Sequence, residues 1–577
     1  MARRSWLVFA LGLLTIGLHL LPLLGARGLF GLDALAYLPR GFGLAWCLAA
    51  AVLLLPPLAA RLLPGDTAAP PRPFSALLPV LLSLILLPIL AVATPLLGDG
   101  LDRIEGLTQG WKALQGQPAP ADLALHLLVR RFLAALPALT AFDRAWKTYR
   151  LVSYLAGVLA IFTWWQLACR RSRSAWEQGL LFGGLLGMGT TVLFCGYPEN
   201  YSVLAAMLFV HLALLDRSLE PGHSPLPPLG SLLCLIGLHF FALLLLPPTF
   251  FALIRAGRWR PGRAFSAVLL AVGLAFLAFL ALMLERHYRG IAIFLAPAQI
   301  FSFSRLLDFF NEQLLACPAL LLLVALAFSE GRRFPIGEQA SPRPIHGYLA
   351  FASLIWIPFF YVLRPVIGAG PDWDLFALPA LVYTPWLLLR LRDRISSQPQ
   401  ARYLVWAILV VSFFHTIPWI AVNARPGAAV ARYQNLVIDL EGKNPWAAGY
   451  GWLKLGKYWQ RLGRMDQALS AYDHSLAANP EYSVLYREVG EKMIEIGRLD
   501  LAVKRFEGFL QHNPTNPGAK PALAKARKLY AQSLEWQNRL PEAAAQYQAI
   551  LELYPDHAEA QEALARLREK MAAGTGR

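Results

Sequence analysis

The residues with the most chemistry per position stand at the edges of long apolar runs. Gly98-Asp99-Gly100-Leu101-Asp102-Arg103-Ile104-Glu105 follows one such run directly and sets Asp99 between two glycines, which permit a tight turn and the close approach of a substrate. Asp122, His126, Arg130 and Arg131 come next, spaced among leucines between Pro118 and Pro137 as in an amphipathic helix lying at an interface, where it could hold a lipid phosphate. Cys195-Gly196-Tyr197-Pro198-Glu199-Asn200-Tyr201 forms a short polar break, and His239 stands alone in an apolar stretch. Glu285, Arg286, His287, Arg289, Arg305 and Asp308 follow, then Arg364 and Gly370-Pro371-Asp372-Trp373-Asp374-Leu375. An ionisable group near a bilayer costs a few kcal/mol by insertion scales, so groups kept there are candidates for function.

Each also has a plain structural use. Asp99 could cap the helix after it, Asp372 and Asp374 could cap one that starts at Leu375, and Glu199 with Asn200 could open the apolar segment that follows. His239 could be a satisfied histidine between helices, and Arg286, Arg289 and Arg305 could bind headgroups without chemistry. Their shared side of the membrane, more than any single spacing, is what points to a site.

That shared side follows from the segments that must position them. The chain has 577 residues, 56% hydrophobic and 15% charged, against roughly 25% charged in ordinary soluble domains. Runs near 5–25, 43–63, 75–96, 150–168, 176–194, 201–216, 264–285, 310–328, 347–364, 376–392 and 402–422 are each about long enough to cross a bilayer. The run 229–254, with His239 and the pair Pro247 and Pro248, reads as a hairpin of two short helices. A hairpin there puts Arg3 and Arg4, Arg170 to Arg173, Arg255 to Arg263, Arg332 and Arg333, and Arg390 to Arg394 on one side, which the positive-inside rule makes cytoplasmic. The net charge of +17 is therefore read as topology, and no nucleic-acid partner is expected. Loop 97–149 and the breaks carrying Glu199, His239, Arg305 and Asp372 fall outside, which in a bacterium means the periplasm. The N-terminal run after Met1-Ala2-Arg3-Arg4 is read as an uncleaved first span, because no small-residue cleavage site follows it. Five scattered cysteines without a CxxC pair support neither a disulfide framework nor a zinc site.

Nine of eleven lysines lie beyond residue 440, marking a change of domain. From about 449 a period of 34 brings Gly463, Ala468, Tyr472 and Pro480 back as Gly497, Ala502, Phe506 and Pro514. This is the tetratricopeptide-repeat (TPR) pattern, in which small residues let paired helices approach and aromatics fill the gap. A third copy, Asn538, Ala543, Tyr547 and Pro555, is displaced by 41. The seven extra residues amount to about two helical turns, taken up by a longer first helix or a longer preceding connection. The expected fold is all-α: a polytopic membrane bundle of about 11–13 spans over 1–425, a linker over 426–448, and a TPR α-solenoid over 449–577 with repeats near 449–482, 483–516 and 524–557.

Gly98-Asp99-Gly100 with its following interfacial helix, Tyr149-Arg150-Leu151, the paired short helices at His239, Gly196 to Tyr201 and Asp372 to Leu375 together resemble motifs of the GT-C class of glycosyltransferases. These enzymes take sugars from polyprenyl phosphate carriers on the outer membrane face. The similarity covers roughly residues 75–395. A plan of GT-C membrane part and outward TPRs is similar to that of transmembrane O-mannosyltransferases bearing TPRs. Two features depart from the class: the key loop follows the third expected span instead of the first, and Gly-Asp-Gly stands where protein mannosyltransferases carry a paired acidic dipeptide. The resemblance implies that Asp99 acts as the catalytic base, that Arg286, Arg289 and Arg305 hold phosphate, and that Asp102, His126, Glu199, Asn200, His239, Asp372 and Asp374 bind substrate. Asp102, Glu199, Asp372 and Asp374 could instead take a divalent cation such as Mg; no ligand set is specific enough to assign a metal. The implied partners are the bilayer, a polyprenyl-phosphate sugar, and a protein or peptide in the TPR groove, at the bacterial inner membrane. The other reading is a non-catalytic membrane-anchored TPR scaffold for envelope protein assembly.

Overall fold

The structure is a computed structural model that describes residues 2–63, 76–110, 112, 120–135, 139–258, isolated positions between 262 and 281, 293–328, 344–394, 399–480 and 483–574. Among them the chain is helical, and its extended pairing is confined to an isolated bridge between Phe294 and Leu363. Two compact units divide it, Met1–Leu436 and Val437–Arg577.

The first unit is a multi-pass membrane bundle. Six described helices are long and apolar enough to cross a bilayer: Ser5–Leu23, Ala141–Arg171, Tyr201–Ser218, Pro344–Val362, Trp373–Asp393 and Arg402–Asn423. Two bent pairs, Gly41–Leu53 with Pro56–Leu62 and Phe303–Ala316 with Leu320–Phe328, bring the number to eight if each is one span. The run 229–254 folds as two short helices, Leu226–Leu238 and Phe240–Arg255, that break at His239. Most of 264–285 lies outside the described residues. In Leu77–Ile89 the side chains turned inward include Ser83, while Leu77, Leu78, Ile85 and Ile89 are exposed. A helix that shows its leucines and hides its serine is built for lipid, where apolar contact outside costs nothing.

The run 176–194 is not one straight helix. It passes from Ala175–Gln178 through a π turn and Gly184–Leu186 into the 3-10 turn Gly189–Phe194, all largely buried. Its glycines explain this. A Cβ at Gly183 would meet Leu409 at 2.7 Å, one at Gly184 would meet Leu388 at 2.7 Å, and one at Gly189 would meet the Leu315 carbonyl at 1.7 Å. Close packing against neighbouring spans replaces regular helix, as membrane interiors tolerate where the freed backbone is buried in protein.

Arg171, Arg258 and Arg392, one from each of three arginine clusters, meet at one end of this unit. Arg171 clasps Asp216, with Nε to Oδ2 at 2.8 Å, Arg258 Nε donates to the Ser218 carbonyl at 3.1 Å, and Arg392 Nε donates to Glu177 at 3.1 Å. Tyr149 lies toward the other end of Ala141–Arg171, and the 22 residues from there to Arg171 span about 33 Å at helical rise, roughly a bilayer core.

The second unit is a run of packed helix pairs: Pro445–Arg461 with Met465–Ala478, Ser483–Glu495 with Leu499–His512, and Ala519–Trp536 with Leu540–Leu553, closed by Ala558–Gly574. The turn inside each pair needs a left-handed residue, which Gly463 and Gly497 supply at φ +71° and +75° and Asn538 at φ +58°. Ala519–Trp536 has 18 residues against 13 in Ser483–Glu495, so the longer first helix takes up most of the extra residues of the third copy. Gly456 lies against Tyr472, where a Cβ would stand 2.2 Å from the ring. Gly456→Ala is expected to destabilise this unit by about 1–3 kcal/mol, read as a lower denaturant midpoint of this unit in the purified protein, through overpacking.

Candidate functional site

Three backbone segments are laced together at the end of the first unit away from Arg171, Arg258 and Arg392. The chain leaves Leu77–Ile89 extended; Val92 N–H donates to the Cys195 carbonyl at 2.7 Å and Ala93 N–H to the Asn423 carbonyl at 2.8 Å. Gly98 N–H then donates to the Pro371 carbonyl at 2.8 Å. The Cys195 to Asn200 break is fixed by Ser153, whose Oγ accepts from Gly196 N–H at 3.0 Å. The segment before Trp373–Phe376 turns at Gly368 and is pinned by Trp373 Nε1–H donating to the Tyr197 hydroxyl at 3.0 Å.

This lacing gathers four carboxylates, Asp99, Glu199, Asp372 and Asp374, from three segments distant in sequence. A Cβ on Gly98 would meet Asp374 Oδ2 at 2.6 Å and Glu199 Oε1 at 2.9 Å, so both acids face the space that only a glycine leaves open. Asp99 N–H donates to Glu199 Oε1. Glu199 and Asp374 are 1% and 0% exposed, and Asp374 Oδ2 has no hydrogen-bond partner among the described residues. Asp99 and Asp372 are half-buried, and both lie close enough to act on Asp374 or on each other electrostatically. Burial first, then the charges of Asp374, Asp99 and Glu199, hold the Asp372 carboxyl well above the usual carboxylate range.

The structural uses set against these residues are mostly not taken up. Asp99, Asn200 and Asp372 occupy N-cap positions without a side-chain cap bond, and Asp374 Oδ1 accepts the adjacent Leu375 N–H at 3.1 Å. Asn200 Oδ1 is buried without a hydrogen-bond partner among the described residues. Asp102 stands in the first turn of Gly100–Thr108, beside the group.

A second polar wall adjoins the first. Arg103 Nε lies 3.5 Å from Glu199 Oε2. Its charge acts on Tyr149 and His239, and Asp122 acts on the same two. His126 turns inward from Pro120–Phe132 and lies on the Tyr149 ring with centroids 4.2 Å apart, its Nδ1 2.9 Å from the Asp122 carbonyl. His239 Nδ1 accepts from Phe241 N–H at 3.3 Å, which starts the second short helix, and its ring faces Tyr201. Arg130 is a helix cap: its guanidinium donates to the Leu107 carbonyl at 2.7 Å.

The arginines do not fall as expected. Arg286 and Arg289 lie outside the described residues. Arg305 is buried and turned into the bundle, donating to Glu312 at 3.2 Å, the Tyr361 carbonyl at 2.9 Å and the Phe360 carbonyl at 3.0 Å. It is a buried ion pair with its donors in use, and that corrects the expectation of an open phosphate ligand. Arg305→Met should leave Glu312 buried and unpaired and lower stability by about 3–5 kcal/mol, measured as a fall in the unfolding temperature of the solubilised protein. Arg103 joins the site without being an expected member; its spacing carries the signal, since it falls one turn after Asp99.

Among the described residues no group of three or more His, Cys, Asp or Glu has the geometry of a metal site. The fold and site define a multi-pass helical membrane protein with a buried acid cluster at one end. No protein-family model and no curated protein sequence matches the chain. Among solved structures it is similar to ArnT from Cupriavidus metallidurans bound to undecaprenyl phosphate, with 14% identity over 76% of this chain and 80% of that one and a TM-score of 0.32. It is similar to the same protein in the apo state, with 14% identity over 80% of each chain and a TM-score of 0.32.

Proposed function

We propose that the protein is an integral-membrane glycosyltransferase that moves a sugar from a polyprenyl-phosphate donor to an envelope acceptor. The observation that carries this reading is the gathering of Asp99, Glu199, Asp372 and Asp374 beside Gly98, at the end of the bundle away from Arg171, Arg258 and Arg392. The acceptor hydroxyl oxygen bonds to the anomeric carbon as the bond from that carbon to phosphate breaks. The electron pair leaves with the phosphate, already a good leaving group, and the hydroxyl proton passes to Asp99. Asp372, Asp374, Asp102 and Asn200 bind hydroxyls of the sugar or acceptor, or a divalent cation such as Mg. His126 and His239 form the wall beside them. Arg286 and Arg289 hold the departing phosphate.

The C-terminal helix pairs are a TPR array over 449–577, joined through 426–448 to the membrane part over 1–425, and they dock the acceptor or a protein partner. The left-handed residues Gly463, Gly497 and Asn538 at matching turns support that register. The array and the carboxylate cluster both face the periplasm from the inner membrane. A reporter fused after residue 440 should be active only on the periplasmic side; a cytoplasmic signal would reverse the arrangement.

The test uses purified protein in lipid discs, radiolabelled polyprenyl-phosphate sugars and an envelope extract. Transfer of label with release of polyprenyl phosphate is expected. Absence of turnover with every lipid donor would favour the scaffold reading.

A further inference from the structure

We infer that Glu199 is a positioning residue that keeps the Arg103 guanidinium off the Asp99 carboxylate while holding the Asp99 backbone in place. This rests on the reading of Asp99 as the base. The observation is a closed ring of contacts. Glu199 Oε1 accepts the Asp99 N–H, Glu199 Oε2 lies 3.5 Å from Arg103 Nε, and Arg103 N–H donates back to the Asp99 carbonyl at 2.9 Å. Asp99 is thereby fixed from both sides of its backbone at φ −93° and ψ +16°, a sparsely occupied region in which many active-site residues are held.

The ring also fixes a charge. Arg103 begins the second turn of the helix that Asp99 opens, close enough for Asp99 as well as Glu199 to act on it electrostatically. Arg103 has a choice of two carboxylates, and a carboxylate paired to a guanidinium is held in its charged form and is a weaker base for a hydroxyl proton. Glu199 is 1% exposed and already anchored by the Asp99 N–H, so it is the better-ordered partner. The guanidinium, 33% exposed at its side chain, stays parked there. Among the described residues the Asp99 carboxylate takes no part in the ring, which leaves it to act as the base.

A double-mutant cycle over Glu199→Gln and Arg103→Met tests this. The amide oxygen of Gln still accepts the Asp99 N–H, but the charge that holds Arg103 is gone. Glu199→Gln should lower kcat on the order of 30-fold with KM nearly unchanged, because Arg103 turns to Asp99. Adding Arg103→Met should return about tenfold of that loss, whereas Arg103→Met alone should cost only a few-fold. A double variant no faster than Glu199→Gln would overturn the inference, since a merely structural glutamate gives no rescue. If the parent itself transfers no sugar, the proposed function has failed instead. The ring is then judged by unfolding temperatures of the four solubilised proteins: the shifts should be non-additive, and additive shifts would remove it.

Discussion

Asp99→Asn should lower kcat for sugar transfer by about 10³-fold, within the range by which a positioned general base accelerates proton transfer. Asparagine has the size of aspartate and leaves the backbone N–H free to bond Glu199, so the turn and the start of Gly100–Thr108 should survive. What is lost is the lone pair that takes the acceptor proton. Donor binding should change little, because the proposed sugar and phosphate contacts come from other residues. The measurement is a transfer assay with labelled donor over a range of donor concentrations. A variant with parental kcat would remove Asp99 as the base while leaving the fold as described.

The second large effect is expected at Gly98, whose backbone is left-handed at φ +58°. An L side chain there costs about 1–3 kcal/mol in strain alone. Gly98→Ala would also place a methyl 2.6 Å from Asp374 Oδ2 and 2.9 Å from Glu199 Oε1, so one or both acids must move. Glu199 holds the Asp99 N–H, and its displacement carries the base with it. A shift of about 1 Å in a reacting group costs on the order of 10²-fold in rate, and Gly98→Ala should lose at least that much. Gly106→Ala is the control. Gly106 lies in the helix that Asp99 opens, nothing within 4 Å would meet its Cβ, and alanine there should be neutral or stabilising by up to about 1 kcal/mol. Equal losses from both substitutions would show that the crowding at Gly98 is unimportant.

How the site could be read from residues alone differs from one group to the next. Gly98, Glu199 and Asp374 sit in three breaks between apolar runs, and arginine bias assigns those breaks to one face, so their sharing one end was legible while their contact is a matter of packing. The hairpin at His239 was legible for the same reason: one straight span would have put Arg258 at the wrong end, and Arg258 in fact bonds Ser218 beside the Arg171 and Asp216 pair. Side-chain direction was not legible. Arg305 could have faced headgroups or the bundle, and only the packing of Phe303–Ala316 against the Phe360 and Tyr361 carbonyls decides it. His126 belongs to a segment that reads as a surface helix, yet stacking on Tyr149 turns it inward. The run 176–194 has the hydropathy of a span, but hydropathy cannot register that Gly189 must admit the Leu315 carbonyl. Burial of a polar atom and close backbone approach are properties of partners far apart in the chain, and local composition does not carry them.

Chemical rescue gives the most direct test of Asp99 as the base. Asp99→Ala is assayed for release of polyprenyl phosphate from a labelled donor, with and without added formate. The expected result is near-complete loss of turnover without formate and a partial, concentration-dependent return with it, since a small carboxylate can occupy the vacated space and take the proton. Parental turnover by Asp99→Ala in the absence of formate would contradict the account.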